Sequence, residues 1–172
     1  MKKTKVEVVF QVGCVVRSVD EVIKRLKTYF DLDEDSIVIK SSKERAEQGL
    51  HIENKYNGEA AAFYIKTARL NFGGIDLEYI EPLNKEGGDP YSDWLKAHGQ
   101  GIHHINMKLE DRSILDEIMA EENIPPHIWT KTGDLELETY DFREQFGFIA
   151  ELGDMVVGPM AASHEKKEWN DK

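Results

Sequence analysis

The fold is decided by the stretch GIHHINMKL, residues 101–109, whose apolar and alternating side chains predict a β-strand. Residues 6–16 predict a strand of the same kind, because they are almost continuously apolar and rich in β-branched side chains. Each strand is followed by an amphipathic stretch with a helix-capping residue at its start, Ser18 in the first case and Asp111 in the second. The order of elements that begins at residue 6 therefore begins again at residue 101.

Three further strands are predicted in each half. In the first half they cover residues 36–40, 59–66 and 75–81, after a helix at 18–30. The polar residues 41–58 predict a loop, and residues 67–74 predict the connection between the last two strands. In the second half the strands cover residues 127–132, 135–140 and 146–152. The sequence thus predicts the α+β class, with two βαβββ modules in one chain that form a curved mixed sheet.

We expect a single domain over residues 1–172. Its predicted parts are a first module (6–82), a connector with a short helix (83–100), a second module (101–158) and a charged tail (159–172).

The composition excludes several classes of protein. The 172 residues carry 33 acidic and 22 basic side chains, and the formal net charge is −11. Binding to a nucleic-acid backbone or an anionic membrane requires a basic patch, whereas the Lys and Arg here are scattered among more numerous carboxylates. No run of 18 apolar residues is present, and the first residues are not typical of a secretion signal. We therefore expect a cytoplasmic protein with a small-molecule partner, and neither a nucleic-acid nor a membrane partner.

Four polar residues are expected to share one face of the sheet. Successive side chains of a strand point to opposite faces, and this parity places Gln11, Glu78, His104 and Glu151 on the face away from the helices. Gln11 and His104 each stand seven positions before the cap of the following helix. Pairing of the two modules about a pseudo-twofold axis brings the four side chains together. His103 points to the other face and is expected to have a structural or supporting role.

Four short motifs follow one another in a fixed order: GIDLEYIEPL at 74–83, WLKAHG at 94–99, GIHHI at 101–105 and FGFIAEL at 146–152. Their order and spacing resemble the vicinal oxygen chelate superfamily, which includes glyoxalase I, methylmalonyl-CoA epimerase, bleomycin-resistance proteins and extradiol dioxygenases. The motifs are most similar to those of the methylmalonyl-CoA epimerase branch, and the resemblance covers about residues 6–155. It implies a metal-binding cleft and, by default, a homodimer.

The resemblance implies that Gln11, Glu78, His104 and Glu151 hold a divalent metal ion, which is Zn, Ni, Co or Mn. The epimerase branch usually has His at the first of these positions, and the set with Gln11 is similar to the ligands of the eukaryotic type of glyoxalase I. One imidazole, two carboxylates and one amide oxygen leave room for water or substrate on the ion. These positions do not supply the two-His, one-carboxylate iron site of a dioxygenase.

An isomerase is the activity that the resemblance favours. A metal-bound carbonyl stabilises the enolate that forms when the neighbouring carbon loses its proton. Glu151 is predicted to be both a ligand and the base, and Glu59 is predicted to be the second acid–base group that an epimerase or racemase needs. Glu47 and Glu53 stay open for that second role.

Two other functions are kept as alternatives. A glyoxalase I would use arginines for glutathione where this chain has Val15 and Gln100, which disfavours a lactoylglutathione lyase-like enzyme. A non-catalytic binding or resistance protein of the same fold is the other alternative, although such proteins typically lack the ligand residues.

The charge of the chain bears on the substrate. Methylmalonyl-CoA carries phosphates, for which the sequence offers only local basic patches such as Lys40, Lys43 and Arg45. A phosphate-free ketone or acyl substrate is an equal candidate. It would be held by aromatic side chains, for which the candidates are Phe63, Trp129, Tyr140 and Phe148.

Overall fold

A computed structural model of the chain describes residues 2–84 and 86–152. Its ten strands are β1 (Val6–Val15), β2 (Val38–Ser41), β3 (Ile52–Tyr56), β4 (Glu59–Ala60), β5 (Ile65–Phe72), β6 (Ile75–Pro82), β7 (Gly101–Leu109), β8 (Ile128–Thr132), β9 (Leu135–Phe142) and β10 (Phe148–Leu152). The helices of this part are α1 (Val19–Tyr29), α2 (Ser42–Glu47), α3 (Pro90–His98), α4 (Arg112–Glu121) and α5 (Arg143–Phe146), and a 3₁₀ turn covers Glu34–Ser36. The predicted tail lies outside the described residues. No described helix is long and apolar enough to cross a membrane.

The strands form one mixed sheet in the order β2-β5-β6-β1-β7-β10-β9-β8-β3-β4. At its centre β1 runs antiparallel to β7, and each of them has a parallel neighbour, β6 beside β1 and β10 beside β7. The first strands of the two halves thus meet at the centre of the sheet, and the last strand of each half lies just outside them. The predicted α+β class with a curved mixed sheet is confirmed.

The two long helices cover one face of the sheet. Ser18 accepts a hydrogen bond from the Glu21 amide at the start of α1, as the capping pattern predicts. From α1, Val19 and Ile23 pack against Ala68 and Leu70 of β5. In the second half α4 packs through Met119 in the same way, against side chains of β9 and β10. Because neighbouring residues on a strand alternate between faces, the opposite face of the sheet is left to line a cavity.

The stretch between β2 and β5 differs from the prediction. Residues 41–58 are not a loop: they contain α2 and β3, and β3 pairs with β8 of the second half. The predicted strand at 59–66 is also wrong, since β4 has only two residues and β5 covers Ile65–Phe72. We call residues 42–64 the strap, because they leave the edge strand β2, pair at the far edge of the sheet, and return to β5.

The strap and the curved sheet enclose a cavity of about 420 Å³. Its lining comes from both halves, with β5 and β6 on one side and β8 and β9 on the other. A buried apolar cluster that includes Ile80, Tyr91 and Ile128 bounds the cavity, and Phe63 of the strap packs into this cluster. The polar floor of the cavity lies on the four central strands.

Candidate active site

A row of four polar residues crosses adjacent strands at the floor of the cavity, and three of them, Gln11, Asn106 and Glu151, line it. Asp76 is paired with Gln11, Gln11 with Asn106, and Asn106 with Glu151. The side chains are joined in the same order. Gln11 Nε2 donates to Asp76 Oδ2 at 3.0 Å, and Asn106 Nδ2 donates to both Gln11 Oε1 at 3.3 Å and Glu151 Oε1 at 2.5 Å. These bonds orient Glu151 so that its other oxygen, Oε2, is directed toward His104.

A second row lies beside the first and carries the imidazole. Here Glu78 of β6 is paired with Gly13, and Gly13 with His104 of β7. A Cβ atom at Gly13 would stand only 2.1 Å from Cε1 of the His104 ring. The absence of a side chain at this position therefore provides the space that the imidazole occupies between the two carboxylates.

Two of the predicted ligand residues, Glu78 and Glu151, face one nitrogen atom of a third, His104. His104 Nε2 lies 3.3 Å from Glu151 Oε2 and 3.8 Å from Glu78 Oε2, and the His104 residue is 1% exposed. Within the described residues this nitrogen has no hydrogen-bond partner. Gln11 lies on the same floor, where its amide is bonded to Asp76 and Asn106. The structure thus places on one face of the sheet the four residues that the alternation of strand side chains predicts there.

Burial changes the acid–base properties of these groups. It raises the pKa of Glu151 to about 7, although the nearby Arg69 charge opposes the shift. Burial also raises the pKa of Glu78, and the charge of Glu151 adds to this effect. The pKa of His104 is lowered, chiefly by burial. A carboxylate with a pKa close to neutral is suited to accepting and returning a proton.

His103 supports His104 from the other side of the strand. The two Nδ1 atoms are 3.1 Å apart, and the His103 ring packs edge-on against Trp94 with 4.8 Å between centroids. If Nδ1 of His104 carries its proton and donates to His103, the His104 Nε2 lone pair faces Glu78 and Glu151. Neither His103 nor His104 is among the residues that line the cavity, and the supporting role expected for His103 stays a prediction.

Sequence reasoning missed a buried ion pair next to this site. Arg69 NH2 contacts Asp76 Oδ2, and the side chains are 14% and 0% exposed. Arg69 is also the cross-strand partner of Glu78, so it lines the cavity beside the carboxylates. Because residues 67–74 are predicted to be a connection between two strands, the prediction does not place the Arg69 side chain on either face of the sheet.

Arg69→Met is expected to lower the free energy of unfolding by about 3–5 kcal/mol, because it leaves the Asp76 carboxylate buried without its cation. Urea unfolding followed by circular dichroism measures this change. The matched control is Lys27→Met, which breaks the exposed pair between Lys27 and Glu34 and should change the midpoint little. Equal midpoints for the two variants would contradict a structural role of the Arg69–Asp76 pair.

The structure places the three candidates for a second base away from the cavity. Glu59 is exposed on β4 at the far edge of the sheet. Glu53 is exposed and contacts His51, and Glu47 is exposed and contacts Lys43. Among the described residues, the carboxylates that line the cavity are Glu78 and Glu151.

The aromatic residues expected to hold a substrate are also absent from the lining of the cavity within the described part of the chain. Tyr140 and Phe148 pack against α4 on the opposite face of the sheet, and Trp129 lies under the Lys55 ammonium, outside this cavity. The alternation of side chains along β8 explains why Trp129 is absent from the lining. Ile128 and Thr130 face the cavity, and Trp129, which stands between them, faces the other side of the strand. The apolar lining consists of aliphatic side chains and Tyr91.

The donor atoms at the site are of the types that divalent cations accept. Within residues 2–84 and 86–152, no group of three or more His, Cys, Asp and Glu side chains is arranged so that it could hold a metal ion without movement. The separations of 3.3 and 3.8 Å nevertheless approach the spacing of about 3.4 Å between ligands that hold an ion tetrahedrally at about 2.1 Å. When ionised, the acids Asp76, Glu78 and Glu151 exceed the Arg69 charge by two, and a divalent ion would balance this excess.

The sequence model of the Glyoxalase/Bleomycin resistance protein/Dioxygenase superfamily matches residues 10–133. No sequence among the curated proteins matches the chain.

Solved structures of methylmalonyl-CoA epimerases have a similar fold. The Mycobacterium tuberculosis enzyme is 15% identical with a TM-score of 0.55, and the match covers 91% of this chain and 93% of that one. A variant of the Streptomyces coelicolor enzyme in complex with 2-nitronate-propionyl-CoA is 15% identical with a TM-score of 0.53, over 86% of this chain and 96% of that one. At this identity the likeness shows the fold alone.

Proposed function

Because the chain belongs to the glyoxalase/bleomycin resistance/dioxygenase superfamily, we propose that it is a metal-dependent isomerase, an epimerase or racemase. It moves a proton at a carbon next to a carbonyl, through an enolate. The observation that carries the proposal is the buried His104 Nε2, without a hydrogen-bond partner in the described residues, facing the carboxylates of Glu78 and Glu151. The two carboxylates line one cavity, and the buried imidazole lies beside them.

The metal ion would be held by Glu78, His104 and Glu151, with Gln11 as the fourth ligand through Oε1. Zn, Ni, Co and Mn are the candidates, since these ions accept mixed imidazole and carboxylate donors. The bound ion would supply Lewis acidity toward the carbonyl oxygen. The interaction between His103 and His104 keeps the imidazole in place, and the bond from Asn106 keeps Glu151 in place.

Proton transfer is assigned to the two carboxylates that line the cavity. Glu151 takes the α-proton, because its carboxylate lines the cavity and the bond from Asn106 holds it in place. Glu78 takes over the role that the sequence gave to Glu59: in its protonated form it delivers its own proton to the enolate carbon from a different strand, while Glu151 keeps the proton that it took. Its support is position, since Glu78 lines the cavity and Glu59 is exposed at the edge of the sheet.

The substrate candidates remain methylmalonyl-CoA and a phosphate-free ketone or acyl compound, and assembly as a homodimer is part of the same proposal. Methylmalonyl-CoA is the ligand named for one of the structurally similar epimerases. A glutathione substrate is disfavoured, because Val15 is buried and the Gln100 side chain accepts a hydrogen bond from the Arg17 amide.

The proposal is tested by a deuterium wash-in experiment. The protein is purified without added metal, its divalent ions are counted, and it is incubated in D₂O with methylmalonyl-CoA and a panel of ketones and acyl thioesters. We expect about one ion per chain, and α-deuteration that stops on chelation and returns with the ion.

Two outcomes would contradict the proposal. Metal-loaded protein that exchanges no α-proton on any compound of the panel would contradict isomerase activity. Ligand binding that is the same with and without the ion, combined with no exchange, would identify a non-catalytic binding protein.

A further inference from the structure

The two walls of the cavity differ in charge. The wall built by β2, α2 and β5 presents three cationic side chains, Lys40, Arg45 and Arg69. The opposite wall, built by β8 and β9, is uncharged and consists of aliphatic and threonine side chains. The chain has a net charge of −11, so three cations along one side of one cavity produce a positive electrostatic potential there that contrasts with the charge of the protein as a whole.

Lys40 and Arg45 differ from the neighbouring cations in having no acidic partner among the described residues. Arg69 is paired with Asp76, and Lys43, which does not line the cavity, is paired with Glu47. Ser42 lies in the sequence between the two unpaired cations and also lines the cavity. Its Oγ accepts a hydrogen bond from the Ile65 amide, which leaves the hydroxyl proton available to donate to a ligand.

The sheet register gives the distance between these cations and the candidate metal site. Glu78 is paired with Arg69 and Arg69 with Val38, so Val38 is two strand spacings from Glu78. Lys40 lies two residues further along β2 on the same face. With strands about 4.8 Å apart and about 3.4 Å per residue, the backbones at Glu78 and Lys40 are roughly 12 Å apart before the sheet curvature shortens the path.

We propose that the substrate carries an anionic group, a carboxylate or a phosphate monoester, that binds between Lys40 and Arg45 while its carbonyl lies at Glu78 and Glu151. This inference rests on the proposed function and specifies its substrate class. An extended chain gains about 1.2 Å per bond, so a path of roughly 12 Å that the curvature shortens corresponds to at most about ten bonds between the carbonyl and the anion. The uncharged wall of β8 and β9 contacts the aliphatic part between them.

The test measures binding to zinc-loaded protein by calorimetry, with 7-oxooctanoate, its methyl ester and 6-oxoheptyl phosphate as probes. We expect at least about tenfold tighter binding of an anionic probe than of the ester, because charge-assisted hydrogen bonds are available only to the anion. The preference between carboxylate and phosphate identifies which anion the site takes. The double variant Lys40→Gln/Arg45→Gln is expected to bind acid and ester within about twofold of each other.

The matched control is Lys24→Gln/Arg25→Gln, which removes the same charge from two exposed cations on α1. It is expected to retain the discrimination of the unmodified protein. Equal affinity for acid and ester, no binding of either anion, or discrimination that survives in the Lys40→Gln/Arg45→Gln variant would overturn the inference. Selective binding of an anion without α-deuteration would instead count against the proposed isomerase. Equally fast deuteration of acid and ester would support the isomerase and overturn the anion site.

Discussion

Glu151→Gln is expected to lower the rate of α-proton exchange by a factor of about 1000 or more, since general-base catalysis contributes about 10²–10⁴. The amide has the shape of the carboxylate but cannot accept the proton. Its Oε1 can keep the bond donated by Asn106, so the floor of the cavity should remain intact. The neutral side chain also removes a charge from a buried position, and we expect no loss of thermal stability. The measurement is deuterium incorporation into the substrate, with thermal unfolding recorded in parallel.

The matched control for this variant is Glu59→Gln. Glu59 is the second base that the sequence predicted, and the structure shows it exposed on β4. The Glu59→Gln variant should exchange the α-proton at a rate within about twofold of that of the unmodified protein. The Glu78→Gln variant should lose most of its exchange rate, as Glu151→Gln does. A large loss in Glu59→Gln with an active Glu78→Gln would restore the sequence-based assignment and contradict the one proposed here.

Gly13→Ala is expected to abolish both metal binding and exchange. Its new Cβ would lie 2.1 Å from Cε1 and 2.3 Å from Nε2 of His104, far inside van der Waals contact. The central strand β1 has little room to yield, because it is hydrogen-bonded on both sides. The imidazole must therefore leave its position between Glu78 and Glu151. We also expect a loss of about 1–3 kcal/mol in the free energy of unfolding, as for other overpacked sites.

Gly101→Ala is the control, since nothing lies within 4 Å of a Cβ at that position. It should bind about one ion per chain, as the unmodified protein is expected to do. Metal analysis of both variants, with zinc titrated against a competing chelator, measures the difference. Full metal occupancy in Gly13→Ala would contradict the assignment of His104 as a ligand.

The central part of the fold could be predicted because local signals determine it. The strands β1 and β7 are apolar runs followed by capped helices, so their existence and their parity could be predicted from the sequence. The alternation of side chains along each strand was then sufficient to place Gln11 and His104 on the face of the sheet that is turned to the cavity. The strap could not be predicted in this way, because β3 has no apolar face and is stabilised by pairing with β8, which is distant in sequence.

The residues missed at the site divide into two kinds. Asp76 and Asn106 share the face of Glu78 and His104, so the same parity rule would have found them. Arg69 was missed for a different reason. Residues 67–72 alternate between polar and apolar side chains, which is the pattern of a half-buried strand, but the prediction of a connection at 67–74 overlooked it.

The pairing of β3 with β8 also bears on the order in which the molecule folds. Residues 52–56 find their partners at residues 128–132, which leave the ribosome much later. Contacts between distant parts of a chain are costly in entropy and form slowly. A nascent first half would possess Gln11 and Glu78 but no enclosed pocket, and joining of the two outer edges is expected to be a late event in folding. The protein therefore gains its binding capacity only when the second half of its sequence has been made.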